Sequence, residues 1–347
     1  MADVRPFPAL RYAPGANLAA VVTPPYDVIS PAAQAGYYAR DPHNIIRLEL
    51  GREAPGDDEL ANKYTRAAAE FADWRRSGIL RQDQSAYYLY EQTFSATGRD
   101  YRKLSLLARV RLEPWEAGVV LPHERTMSKP KQDRLALMRA TSANLSPLMV
   151  LYDDPASVLA ARLAPIAEAA PTAAFTDEAS EGHRLWLLDD PTLAGEIGSF
   201  FRERQLYIAD GHHRYETALT YRDEQAALRK EPLPADDPLN FTLMALSAIE
   251  DPGLVVLPTH RILRDLDATR LAALDELFPR FFDMQSLTAA DAGEALARLA
   301  EAGSSGARAF VLVRPEGLTL LRLNAAGRAA MDALDGEYAE ATPAWRQ

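Results

Sequence analysis

The chain has no cysteine. Disulfide frameworks, thiolate nucleophiles and zinc sites built on sulfur are therefore excluded, and the composition fits a reducing, cytoplasmic setting. No apolar run approaches the roughly 18 residues that span a bilayer. The N-terminus MADVRPFPALRYAPG has no apolar h-region, so neither a membrane segment nor a signal peptide is expected. Positive charge is also short: 38 Lys+Arg stand against 49 Asp+Glu, a formal charge of -11. Such an acidic surface repels DNA and RNA phosphates, so nucleic acid is not an expected partner. A small anion would need a local basic pocket. The familiar cradles are missing too, with no G-x-x-x-x-G-K-[ST], G-x-G-x-x-G, G-x-S-x-G or H-E-x-x-H.

What is present is a 347-residue chain, 48% hydrophobic, large enough for a sizeable core and for about two domains. The first fifty residues read as loops, with DPHNIIRLEL as a short strand. Leu60, Tyr64, Ala67, Phe71 and Trp74 recur at helical spacing after Asp58, and Gly78 ends that helix. SAYYLYEQTF and DYRKLSLLARVRL form a hairpin pattern around SATGR. From Pro155 helical and extended segments alternate: ASVLAARLAPIAEAA, HRLWLLDD, PTLAGEIGSFFRER, QLYIAD and HHRYETALTYRDEQAALRK. FTLMALSAI and LVVLP read as strands, two helices follow, and ARAFVLVRPEGLTLLRL reads as a terminal hairpin. The class is α/β, or mixed α+β. The expected organisation is an N-terminal α+β region over 1–150 and a C-terminal α/β region over 151–347.

The most pointed stretch is YIADGHHRYETALTYRDE, where a strand gives way to a helix. Gly211 permits a tight turn and close backbone approach. The first helical N–H groups lack internal partners, and the helix dipole favours negative charge there. Arg214 adds a fork of donors, while His212 and His213 can donate or shuttle protons. Together these make a phosphate cradle; the plainer reading is that Asp210 caps the helix and the histidines are ordinary. Two consecutive helical side chains diverge by about 100°, which disfavours one metal ion on both histidines.

HERTMSKPKQDR is the second unusual stretch. Five Arg/Lys and two Asp/Glu fall between His123 and Arg139, a local excess of positive charge. Pro130 suits a first helical turn. Lys129 and Lys131 then sit at the positive end of that helix, where a bound anion would relieve them. Lys129, Lys131 and Arg134 are candidate phosphate ligands, unless Glu124 and Asp133 simply pair them. TPPYDV holds Tyr26 and Asp27 on a stiff double-proline loop. Asp27, Glu124, Asp210 and His123 are the candidate proton-transfer groups. Tyr26, His260 and Arg261 are candidate substrate contacts, the last two from LPTHRIL.

TPPYDVIS, LPHERTMSKPKQDRLALMRATSANLSPLMVLYD, YIADGHHRYETALTYRDE and DPGLVVLPTHRIL together resemble the DUF1015 family, in order from Pro6 to about Arg264. A shorter resemblance, DGHHR alone, is similar to the phosphate-binding turn of ParB/sulfiredoxin-like proteins, including ADP-dependent free serine kinases. It implies a strand–turn–helix core of that type, with Gly211, His212, His213 and Arg214 on phosphates. It also implies Mg²⁺ with ATP or ADP as cofactor and a small hydroxyl-bearing metabolite as acceptor. A phosphoester hydrolase and a non-catalytic nucleotide or metabolite sensor are the alternatives. Family members continue past this C-terminus with a segment carrying Lys, Ser and Thr, whereas this chain stops at EATPAWRQ. If that segment completes the site, binding without turnover is expected. The four motifs are expected to meet in space.

Overall fold

A computed structural model describes residues 1–96, 98–124, 128–229, 232–257, 260–288 and 292–338. It divides into two compact units, Met1–Val256 and Leu257–Gln347. In the first unit the elements are β1 (Val4–Arg5), β2 (Leu10–Tyr12), α1 (Leu18–Val21), α2 (Pro31–Arg40), α3 (Ile46–Glu49) and α4 (Lys63–Arg76). Next come β3 (Leu80–Gln82), β4 (Tyr87–Ala96), β5 (Arg99–Arg111), β6 (Val120–Leu121), α5 (Ser128–Thr141), β7 (Leu148–Tyr152) and α6 (Val158–Ala167). The unit ends with β8 (Ala173–Thr176), β9 (Gly182–Leu188), α7 (Pro191–Phe201), β10 (Leu206–Asp210), α8 (His212–Arg229) and β11 (Phe241–Ala248).

Mixed α/β architecture follows directly from the sheet. Nine strands form it, in the order β6-β10-β7-β11-β5-β4-β9-β8, with β1 added alongside β5. β7–β11 and β10–β6 are parallel pairs, and the remaining pairs are antiparallel. β4 and β5 make the hairpin that their alternation predicts, with Tyr88 opposite Leu107 and Ala96 opposite Arg99. β7 alternates buried and half-buried residues because one face packs on the core. That core combines Leu106, Leu148, Val150, Leu206, Ile208 and Leu246 of the sheet with Leu159 and Leu163 of α6. Leu193, Ile197 and Phe201 of α7, and Tyr215 of α8, complete it. Each fully buried large side chain contributes about 1.5–3 kcal/mol. A separate cluster of Leu48, Phe71, Trp74, Leu80 and Leu137 joins α3, α4, β3 and α5.

Local chemistry moves some boundaries. The helix expected after Asp58 begins only at Lys63, because Asn62 forms a capping box with Thr65, and Leu60 is left exposed. DPHNIIRLEL turns into the short helix α3 rather than a strand, with Asn44 Oδ1 accepting the Ile46 N–H at 2.9 Å. LVVLP forms no strand over its described residues, Leu254 to Leu257. The expected division at 150/151 falls within β7, and the sheet draws on both sides of it.

The second unit holds α9 (Ala268–Phe281), β12 (Phe282–Leu287), α10 (Ala292–Ser304), β13 (Ala309–Arg314), β14 (Gly317–Leu323) and α11 (Ala325–Tyr338). Its sheet order is β12-β14-β13, and β13 and β14 form the expected hairpin. No described helix in either unit is long and apolar enough to cross a membrane.

Ile197, fully buried on α7, tests how far the site depends on this core. Ile197→Ala is expected to cost about 2–5 kcal/mol, read from the urea midpoint at unchanged m-value. A cost below about 1 kcal/mol would show that α7 does not close the core.

Candidate functional site

The turn between β10 and α8 is built around Gly211, whose φ is +101°. A Cβ there would lie 3.1 Å from the Arg214 guanidinium and from Leu148 Cγ, so glycine is needed for both conformation and space. Arg214 uses that space. It donates through Nη1 to the Pro147 carbonyl at 2.6 Å and pairs through Nη2 with the exposed Asp210. The guanidinium therefore ties the start of β7 to the end of β10.

His212 points the other way and is 1% exposed. Its Nε2 accepts the His123 backbone N–H at 3.1 Å, and the two imidazoles meet edge-to-face at 4.4 Å. An occupied Nε2 lone pair means that Nδ1 carries the proton of the neutral ring. Nδ1 lies 3.2 Å from Glu124 Oε1 but makes no aligned hydrogen bond, leaving a buried donor unsatisfied. Burial, and then the neighbouring His123, hold the His212 pKa below the ordinary imidazole value; Glu124 and Asp210 act in the opposite direction. His123 itself is exposed, and its Nδ1–H donates to the Ile208 carbonyl at 2.7 Å. His123, Glu124 and His212 come close enough to be considered as a metal trio. The tautomer argues against it, because a protonated Nδ1 offers no lone pair. The exposed carboxylates of Glu124 and Asp210 suit a hard cation such as Mg²⁺ better.

α5 packs beside α8, and Lys131 Nζ donates to Glu216 Oε2 at 2.8 Å across that contact. Arg134 is more deeply committed. It is 7% exposed and bonds Glu49 through both Oε2 and the main-chain carbonyl, at 3.1 and 3.0 Å, and Asp133 through Nε and Nη2. Tyr26 covers its guanidinium, with Cζ 3.9 Å from the ring centroid. Burial raises the Tyr26 phenol pKa, while the nearby charges of Arg134 and Arg214 oppose the shift. Behind these residues is a cavity of about 40 Å³ lined by Glu49, Arg134, Asn144, Ser146, Arg214 and Thr217. Ser146 bonds Glu49 at 2.5 Å, whereas Thr217 Oγ1 is buried without a partner. That volume can hold ordered water, since one molecule needs roughly 10–15 Å³.

Three of the four motifs thus come together. Tyr26, Arg134, Lys131, Arg214, His212, His123, Glu124 and Asp210 occupy one neighbourhood, with His213 half-buried on α8 and Asp27 exposed beside Tyr26. Lys129 lies in the first turn of α5, with its side chain outside the described residues. His260 and Arg261 are exposed and belong to the second unit. The sequence reading missed Glu49, Ser146 and Thr217; each looks like an ordinary helical or loop residue until the fold closes the cavity. It also assigned nothing to His183. That ring stacks between Phe175 and Tyr90, accepts or donates at 2.6 Å to the Tyr90 hydroxyl, and lies 3.3 Å from Asp177, beside Glu181.

A buried neutral His212 has a definite pH signature. Its folded pKa is lowered from an unfolded value of about 6.5, so on acidification the unfolded chain takes up the proton first. Its contribution is constant above about pH 6.5, and stability is lost as the pH falls from there toward the folded pKa. His212→Gln removes this titration. The wild-type minus variant stability should slope between pH 7 and 5; a flat difference would mean that His212 is not buried neutral.

The chain matches the family model described as Protein of unknown function (DUF1015) over residues 4–337. No curated protein and no solved structure matches it. With the match running over nearly its whole length, the chain belongs to the DUF1015 family.

Proposed function

We propose that this protein binds the phosphates of a nucleotide at the N-terminal turn of α8 and transfers a phosphoryl group to a small hydroxyl-bearing metabolite. The observation that carries this reading is the unsatisfied, buried Nδ1–H of His212, next to the exposed carboxylates Glu124 and Asp210 at a helix start. A buried donor without an acceptor costs about 1–3 kcal/mol, which a ligand oxygen would recover. The helix dipole and the first-turn N–H groups of His212, His213 and Arg214 favour an anion at the same place. The resemblance of DGHHR to the ParB/sulfiredoxin-like phosphate turn agrees with this, as does the strand–glycine–helix geometry of β10 and α8.

In this reading Arg214 and Lys131 exchange their internal partners, Asp210 and Glu216, for phosphate oxygens. Arg134 stays in place as a buried support for Tyr26 and Glu49. Released from Arg214, Asp210 is free to take the acceptor's hydroxyl proton, with Glu124 as the other candidate base. Mg²⁺ brought by ATP or ADP would neutralise phosphate charge, and whichever of Glu124 and Asp210 does not act as the base would hold it. A second reading, phosphoester hydrolysis, is favoured by His123, which is exposed with its Nδ1–H held by the Ile208 carbonyl. Nε2 is then the ring atom for proton transfer and, once protonated, would pass its proton to a leaving group.

The test is calorimetric titration of ATP and ADP with Mg²⁺, alongside ³¹P NMR with and without free serine and other small alcohols. Nucleotide binding should be lost in the His213→Ala/Arg214→Ala double variant. A fold check belongs with that variant, since Arg214 also holds the Pro147 carbonyl. Phosphate appearing without any acceptor would favour the hydrolase, and binding without turnover would favour a sensor. Unchanged nucleotide affinity in the folded double variant would end the reading.

A further inference from the structure

The short strand β1 places Arg5 directly opposite Arg109 of β5, and on its other side β5 sets Arg111 opposite Phe241 of β11. Like charges directly opposite on neighbouring strands are destabilising. Here three guanidiniums gather on one buried ring: Arg5 Cζ is 5.0 Å from the Phe241 centroid, and Arg109 and Arg111 are each 4.8 Å from it.

Two of the three are hydrogen-bonded within the fold and share the single charge of Asp3. Arg5 holds both Asp3 oxygens at 2.7 Å. Arg111 donates through Nε to Asp3 at 2.9 Å and through Nη2 to the Ala235 carbonyl at 2.5 Å. Arg109 makes no hydrogen bond or ion pair among the described residues, and its Nε is buried without a partner. Stacking on Phe241 satisfies the face of the guanidinium but not its in-plane N–H donors. Burial, and then the charge of Arg5, lower the Arg109 pKa, with Asp3 and the exposed Asp236 opposing. Arginine does not give up its proton to escape such a position. In a chain of net charge -11, an uncompensated cation kept beside two others calls for an outside anion.

We propose that Arg109, flanked by Arg5 and Arg111 on the Phe241 ring, is a binding site for a phosphate group, separate from the α8 turn. The in-plane fork of Arg109 takes two oxygens, as arginine does with phosphate. A phosphate has further oxygens for the neighbouring guanidiniums. The group could be free phosphate or part of a nucleotide or other phosphorylated metabolite.

The experiment is calorimetric titration and thermal denaturation with inorganic phosphate, pyrophosphate and ATP, at one ionic strength with chloride as control. It uses the full chain, Arg109→Met, Arg109→Lys and Arg214→Lys. Saturable stabilisation of the wild type is expected, with binding at least about tenfold weaker in Arg109→Met. Arg109→Met should be as stable as the wild type without ligand, because it removes an uncompensated charge. Arg109→Lys keeps the charge without the fork, so it should weaken binding while preserving the fold. Phosphate binding at inorganic phosphate identifies a free-anion site; binding of ATP alone, lost in Arg109→Met, identifies a nucleotide. No anion-specific stabilisation of the wild type, or undiminished binding in both Arg109 variants, overturns the proposal. Binding lost in Arg214→Lys but kept in the Arg109 variants also overturns it, while sustaining the α8 reading; the opposite pattern separates the two the other way.

Discussion

Everything at the α8 turn depends on one backbone arrangement, in which β7 pairs parallel with β11 on one side and antiparallel with β10 on the other. Leu148 at the start of β7 then lies against Gly211 at the end of β10, and Arg214 reaches the Pro147 carbonyl just before β7. A residue larger than glycine would push into both contacts. The parallel β10–β6 pair extends the same logic outward. It sets Leu121 beside Tyr207 and so delivers the next residues of that chain segment, His123 and Glu124, to His212. None of these pairings is local, so each must repay the entropy of closing a long loop. The buried apolar residues on β7, β10 and β11 are what repay it.

Charge is distributed differently at the two regions proposed to bind anions. Around α8 every described basic side chain of the candidate set has an acidic or carbonyl partner: Arg214 with Asp210, Lys131 with Glu216, Arg134 with Glu49 and Asp133. The unmet demand there is for an acceptor, at the buried Nδ1–H of His212. At Phe241 the unmet demand is for charge itself, because Asp3 is shared by Arg5 and Arg111 and leaves Arg109 over. An anion at α8 must displace an existing pair, which favours a ligand bringing its own cation. An anion at Arg109 displaces nothing.

Particular residues show where sequence reasoning held and where it gave way. The β4–β5 hairpin, α7, β10, α8 and the β13–β14 hairpin follow their periodicity, since each buries one face against a core. Asn62 overrode the apolar spacing at Leu60 because a cap satisfies helix donors that an exposed leucine cannot. Asn44 overrode the strand pattern of DPHNIIRLEL by offering its side chain to the Ile46 N–H. In the site, Gly211, Arg214, Lys131 and Tyr26 stood out by residue type and spacing. Glu49 and Thr217 did not, since their burial comes from packing between segments far apart in the chain.

By itself the sequence determined the mixed α/β class, the lack of any thiol chemistry, the acidic balance, and the strand-to-helix turn at Gly211, because these rest on composition and on contacts a few residues apart. Only the tertiary structure decided that β6, β7, β10 and β11 lie side by side, that His212 is buried with one ring nitrogen filled, and that Arg5, Arg109 and Arg111 share one phenylalanine. The reason is physical. Strand pairing across a hundred residues sets which side chains share a face, and burial then sets which of them are left with a charge or a donor unanswered.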